Sequence, residues 1–155
     1  MTWRALDADR ACSIVDFWIA QPWPLSRAQT FELAAELGWS VVEGSLVNSA
    51  DALSQPAVIT SEVRGAFATL TFWVSDVVKG VDADAGADFL GDQFTLLVRE
   101  GSERWGKPEL SRGSVGRAKW ELPGGGRIDA TRSKSSVTLE FTTPQYAQVL
   151  REMGE

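Results

Sequence analysis

Apolar positions in this chain change their spacing several times, and each spacing predicts an element. From about Ala8 to Ala20, Ala11, Ile14, Val15 and Trp18 recur at i, i+3, i+4 and i+7. That gives a helix with one apolar face, capped by Asp7 or Asp9. Gln21-Pro-Trp-Pro ends it, because each proline removes a donor and denies the preceding residue the helical region. Ser26 with Gln29 three residues on forms a capping-box pattern that opens a second helix, and Gly38 stops it. Ala28, Phe31, Ala34, Ala35 and Leu37 can face a core there. Trp39 to Glu43 reads as a short strand, followed by an irregular polar stretch. Residues 57–63 and 66–76 then alternate with period two on either side of Arg64-Gly65, the mark of a tight hairpin. In its second strand Ala68, Leu70, Phe72 and Val74 form the core set, which sends Phe67, Thr69, Thr71 and Trp73 to the other face.

The helical period returns from Ala83 to Trp105, with Ala87, Leu90, Phe94, Leu97, Val98, Gly101 and Trp105 on one stripe. Three internal glycines, Gly86, Gly91 and Gly101, each cost about 0.5–1 kcal/mol relative to alanine, and close approach to a sheet accounts for them. Period two then resumes. Ala118, Trp120 and Leu122 point one way while Arg117, Lys119 and Glu121 point the other. Pro123-Gly-Gly-Gly turns the chain into Ile128–Arg132, and Ser133–Ser135 turns it again into Val137, Leu139 and Phe141. Thr143-Pro144 supplies an N-cap and a first-turn proline for a closing helix striped by Tyr146, Val149, Leu150 and Met153.

The order ααβββαβββα predicts an α+β domain spanning residues 1–155, built on a single antiparallel sheet of five to six strands with helices over one face. The long helix is expected to lie on Leu70, Phe72, Val74, Trp120, Leu139 and Phe141. Composition agrees with an ordinary globular chain, at 44% hydrophobic and 23% charged residues over 155 positions. No apolar run reaches the length of a membrane span, and the N-terminus lacks a secretory pattern, so a cytoplasmic location is expected.

Residue chemistry narrows the function. The chain has no histidine and one cysteine, Cys12. That removes histidine-based nucleophilic sites, histidine metal sites, disulfide frameworks and multi-cysteine zinc sites. Cys12 is expected to be inert, its pKa raised by Asp9 and Asp16 at helical spacing. The triglycine at 124–126 joins two strands and so reads as a turn rather than a phosphate loop. Asp82, Asp84 and Asp88 miss the calcium-loop pattern, since the glycine falls one place early and Gln93 stands where a bidentate glutamate belongs. They read instead as helix-start acidity. Neither a catalytic residue nor a cofactor or metal is expected. Two carboxylates in one cleft, or a Ser-Lys pair, are the remaining routes to an enzyme.

The net charge of −6 conceals two segments. Asp76 to Glu103 carries seven acidic residues against two basic ones, and Arg104 to Lys134 carries eight basic against three acidic. Either the molecule is electrostatically two-sided or the two segments neutralise each other as neighbours. Overall acidity argues against nucleic acid. Of the seven tryptophans, Trp3, Trp23 and Trp73 have no place in the predicted core stripes. Trp73 and Phe67 on one outward strand face read either as covered by the N-terminal helices or as a partner site; as a site they adjoin the acidic helix start, and Phe67, Trp73, Asp82, Asp84, Asp88 and Asp92 are the candidate partner-binding residues.

Trp3-Arg-Ala-Leu, Leu37-Gly-Trp39, Gly106-Lys-Pro108, Trp120-Glu-Leu-Pro-Gly124, Val137-Thr-Leu and Pro144-Gln-Tyr146, taken together, resemble a family of small acidic actinobacterial proteins of uncharacterised function. Some of these are regarded as immunity proteins of secreted toxins. The resemblance implies a non-enzymatic cytoplasmic binder that occludes a toxin's active site, and it supplies no catalytic residues. The element order also looks like that of type III secretion chaperones, which implies a carrier of an exported protein instead. The expected partner is a protein, with neither nucleic acid nor membrane involved, and the reading leaves room for a homodimer.

Overall fold

The computed structural model describes residues 3–79, 83–111 and 116–155. Helices α1 (Ala8–Ile19) and α2 (Arg27–Ala34) come first, followed by a 3₁₀ turn at Ala35–Leu37. Strands β1 (Ser40–Val42), β2 (Ser45–Val47), β3 (Ile59–Val63) and β4 (Ala66–Trp73) lead to the long helix α3 (Ala83–Trp105). Then come β5 (Glu109–Ser111), β6 (Gly116–Glu121), β7 (Arg127–Arg132), β8 (Val137–Thr142) and α4 (Pro144–Glu152). Six strands form one antiparallel sheet in the order β3-β4-β8-β7-β6-β5, and β1-β2 is a separate ribbon. This is the predicted α+β class with the predicted single main sheet.

Most helix signals act as expected. Ser26 and Gln29 make both bonds of the capping box, and the Thr143 hydroxyl accepts from the Tyr146 amide with Pro144 in the first turn. Asp7 occupies the N-cap of α1 but makes no side-chain capping bond. Ala11, Ile14, Val15 and Trp18 are all buried, as is Cys12 beside them. On α4 the predicted stripe is not the buried one: Ala147 is buried, whereas Val149 and Met153 are 39% and 67% exposed.

The two glycine hairpins show why their turns are tight. Arg64 and Gly65 both take positive φ, as do Glu43 and Gly44 between β1 and β2. That is the mirror-image turn whose twist suits paired strands. The strand expected at 39–43 thus pairs with Ser45–Val47, in a stretch expected to be irregular, and stays outside the main sheet. β5 was not anticipated; its three residues are too few to show a period, and all are exposed.

The core face of the sheet carries Leu70, Phe72 and Val74, then Val137, Leu139 and Phe141, then Ile128 and Ala130, then Ala118 and Trp120, all buried. α3 lies over the β7 and β6 side of this face, and α1 fills the space beside it. Close approach explains Gly101, where an added Cβ would sit 2.8 Å from Trp120 and 3.0 Å from Trp105, and Gly86, where it would overlap Val78. Gly91 is not crowded, since its nearest neighbour is Arg132 at 4.0 Å.

Phe67 departs from the expected pattern. Ser61 faces Thr69 and Glu62 faces Phe67, so Ala68 has no opposite residue. This bulge shifts the alternation by one position and turns Phe67 onto the core face. Phe67 is 2% exposed and stacks on Trp23 with ring centroids 5.9 Å apart. Trp23 in turn lies 5.6 Å from Phe141 and 6.3 Å from Trp18. Trp23 is therefore part of an aromatic core edge, and Trp3 packs on Phe89.

Candidate binding surface

Among the described residues, α4 is the helix that meets the second face of the sheet, at one corner. Residues alternate across strands, so every outward side chain can be read from the register. One transverse row runs Thr71, Glu140, Asp129, Lys119, Glu109 over five strands. The next runs Trp73, Thr138, Thr131, Arg117, Ser111. Trp73 alternates with the buried Phe72 and Val74 and so points to the opposite side of the strand. It is half-buried among threonines.

The polar groups of this face are paired across strands. Arg117 donates from Nε and Nη2 to Asp129 Oδ1 at 2.9 and 2.7 Å, and Thr71 Oγ1 donates to Glu140 Oε2 at 3.0 Å. Where α4 meets the sheet, Arg127 and Arg151 both donate to the Glu121 carboxylate, at 2.9 and 2.7 Å. A polar cleft of about 260 Å³ lies between that corner and the Asp129 and Glu140 row. Burial pushes the Glu140 carboxyl above its usual range; the Thr71 hydroxyl opposes this, and the Asp129 charge directly across the ladder adds to it. Burial also works to raise Glu121, but Arg151 and Arg127 together outweigh it and hold that carboxyl low.

The expected partner residues do not form one patch. Phe67 is in the core, and Trp73 lies on the uncovered sheet face. Asp84, Asp88 and Asp92 are exposed along one stripe of α3, beyond the opposite face. Asp82 lies outside the described residues. Adjacency in sequence through Asp76 misled because Asp76 itself turns inward. Its carboxylate accepts the Arg4 and Ser54 amides at 2.7 and 2.8 Å, tying the crossover to the N-terminal segment. The two charge segments do not neutralise each other wholesale. Among the described residues, Asp84, Asp88 and Asp92 have no ion pair, and only Arg104 to Glu100 joins one segment to the other.

Sequence reasoning missed a second concavity, a cleft of about 700 Å³ between the end of α1, the end of α3 and the β6–β7 turn. Trp23, Trp105 and Phe141 line it, and Asp16 and Arg104 stand in its wall. Arg104 donates to Asp9 at 2.6 Å, Asp16 at 2.8 Å and Glu100 at 2.8 Å. Its guanidinium is held fully charged, first by the Glu100 hydrogen bond. The surplus of tryptophan was the only trace of this cleft in the sequence, because its walls come from four separate segments.

Cys12 is buried beneath this cluster, and burial pushes its thiol up to about 12. The direction is the expected one. Its main cause is desolvation, with the nearby carboxylates adding less and Arg104 opposing. Among the described residues no cluster of three metal-ligating side chains occurs, and no helix is long and apolar enough to cross a membrane.

No curated protein matches the chain, and no solved structure does. A family model described as "Family of unknown function (DUF6301)" matches residues 9–143, from the second residue of α1 through the end of β8 to the N-cap of α4. The match takes in every strand and the three helices that build the core, so the chain belongs to this uncharacterised family.

Proposed function

We propose that this protein is a non-enzymatic binding protein, an immunity protein that captures a basic secreted toxin and occludes its active site. One observation carries the reading: a six-stranded sheet presents a face that α4 covers only at one corner, with a half-buried tryptophan among hydroxyl-bearing and paired charged side chains. Such a face offers an aromatic anchor and a ready set of donors and acceptors, the composition that concentrates binding energy. The unpaired acidic stripe of α3 supplies long-range attraction for a basic partner without being part of the contact.

The test is co-expression with secreted proteins encoded beside it. Protection of growth, and a complex whose dissociation speeds at least tenfold in Trp73→Ala, are expected. A panel of such proteins giving neither protection nor a complex defeats the reading. If instead a partner is bound but stays active and is released for export, the protein is a secretion carrier.

A second reading rests on Glu140 and Asp129. Two opposed carboxylates, one raised toward its protonated form and one tied to Arg117, line a single cleft, which is the arrangement acid–base chemistry uses. It predicts a hydrolytic activity abolished in both Glu140→Gln and Asp129→Asn. The pairing of both groups to neighbours favours the binding reading.

A further inference from the structure

We propose that the cleft between α1, α3 and the β6–β7 turn is a seat for an arginine side chain of the protein partner. The inference rests on the partner-binding reading above and names one feature of that partner. Three observations lead to it.

First, the aromatic walls are locked with their polar atoms already used. Trp23 Nε1 donates to the Trp18 carbonyl at 2.7 Å, and Trp105 Nε1 donates to Asp16 Oδ1 at 2.8 Å. What the indoles offer a guest is ring surface, to which a planar guanidinium is attracted electrostatically.

Second, the carboxylate in the wall has capacity left. Each Asp16 oxygen accepts one bond inside the protein, Oδ1 from Trp105 and Oδ2 from Arg104 at 2.8 Å. Each retains a further lone-pair direction. The side chain is 43% exposed, so a two-pronged donor can reach both oxygens.

Third, the ion cluster behind the wall is net negative. Asp16 and Arg104 line the cleft, and Asp9 and Glu100 also pair with Arg104, so three carboxylates share one guanidinium. On the turn side, Arg151 donates to the Gly125 carbonyl and is tied to Glu121. A cleft of this volume also has room for the aliphatic stem of an arginine and the backbone that carries it. A neutral aromatic guest would satisfy the rings alone and leave the excess negative charge unanswered.

The experiment follows the indole N–H resonances of the full chain while N-acetyl-arginine amide is added, with N-acetyl-citrulline amide as the neutral twin of the same shape. Saturable shifts of the Trp23 and Trp105 signals with the arginine probe are expected, and about tenfold weaker binding of citrulline, which keeps the shape and loses the charge-assisted pair. Gln145 is exposed on the rim, so charge can be placed there without disturbing the fold. Gln145→Glu should tighten the arginine probe and Gln145→Arg weaken it, each by roughly two- to fivefold. Equal binding of the two probes, no saturable shift, or tighter binding of N-acetyl-tryptophan amide overturns the seat. A toxin that is captured with the same affinity by Gln145→Arg overturns the seat and leaves the partner reading standing. An arginine probe that binds as described, with no toxin captured or neutralised, defeats the partner reading while the seat stands as a site for free cations.

Discussion

At the scale of single residues, the structure separates side chains that look alike in the sequence. Cys12, with its pKa pushed up to about 12 by burial, should resist a maleimide reagent at neutral pH until the protein is unfolded. Rapid labelling of the native state would show that the helix opens locally. Gly101→Ala tests close packing against helix propensity. The methyl gains about 1 kcal/mol of propensity. It also meets Trp120 and Trp105, whose rings are held by hydrogen bonds to the Gly106 carbonyl and to Asp16. Overpacking of this kind costs about 1–3 kcal/mol, so a lower melting temperature is expected. Glu140 carries a pH signature. Its folded-state pKa lies above the unfolded value of about 4.5, so the folded protein binds more protons between the two and loses stability as pH rises through that window. Glu140→Gln should therefore flatten the decline between mildly acidic and neutral pH, measured by denaturant midpoints. An unchanged profile would mean that the carboxyl is solvated.

At the scale of elements, Trp73 and Trp120 make a controlled comparison, because both are strand tryptophans and only one is beneath a helix. Trp120→Ala should cost about 3–5 kcal/mol and Trp73→Ala about 1 kcal/mol, read from thermal or urea unfolding. Equal losses would mean that a layer covers the outer face. Elements were readable in the sequence where many residues repeated one period. The ends of α3 were anticipated to the residue, since twenty-three positions keep one stripe and Gly106 with Pro108 closes it. β6, β7 and β8 were found because inward and outward residues alternate without interruption. Phe67 was misplaced because a bulge leaves no mark in composition: Ala68 fits a strand whether or not it is paired. The β1-β2 ribbon and β5 were too short to establish a period. The aromatic cleft left only a surplus of tryptophan in the sequence, as residues 16–23, the end of α3, the β6–β7 turn and residues 141–145 are brought together only by the finished fold.

At the scale of the whole molecule, charge and connection dominate. Arg104 joins the last turn of α3 to two carboxylates of α1 across roughly ninety positions of chain. Arg104→Met should lower stability by about 1–3 kcal/mol, and more at low salt than at high, because three carboxylates are left facing one another. A loss independent of salt would assign the effect to packing of the side-chain stem. The capture rate of a basic partner should fall as salt rises, and replacing Asp84, Asp88 and Asp92 with asparagine should remove most of that dependence while sparing the dissociation rate.

The strand order has a consequence for how the chain comes into being. β4 lies between β3 and β8, so the first hairpin of the main sheet to leave the ribosome receives its second neighbour last of all, after β5, β6 and β7 have been made. Until residue 142 has emerged, Leu70, Phe72 and Val74 have no β8 beside them, and α1 has nothing complete to lie on. Closure of the core thus waits for residues 69–73 to pair with residues 138–142, and long-range pairing of this kind is slow. During that interval the nascent chain displays an apolar hairpin with one strand edge unpaired, the kind of edge that invites pairing with another chain.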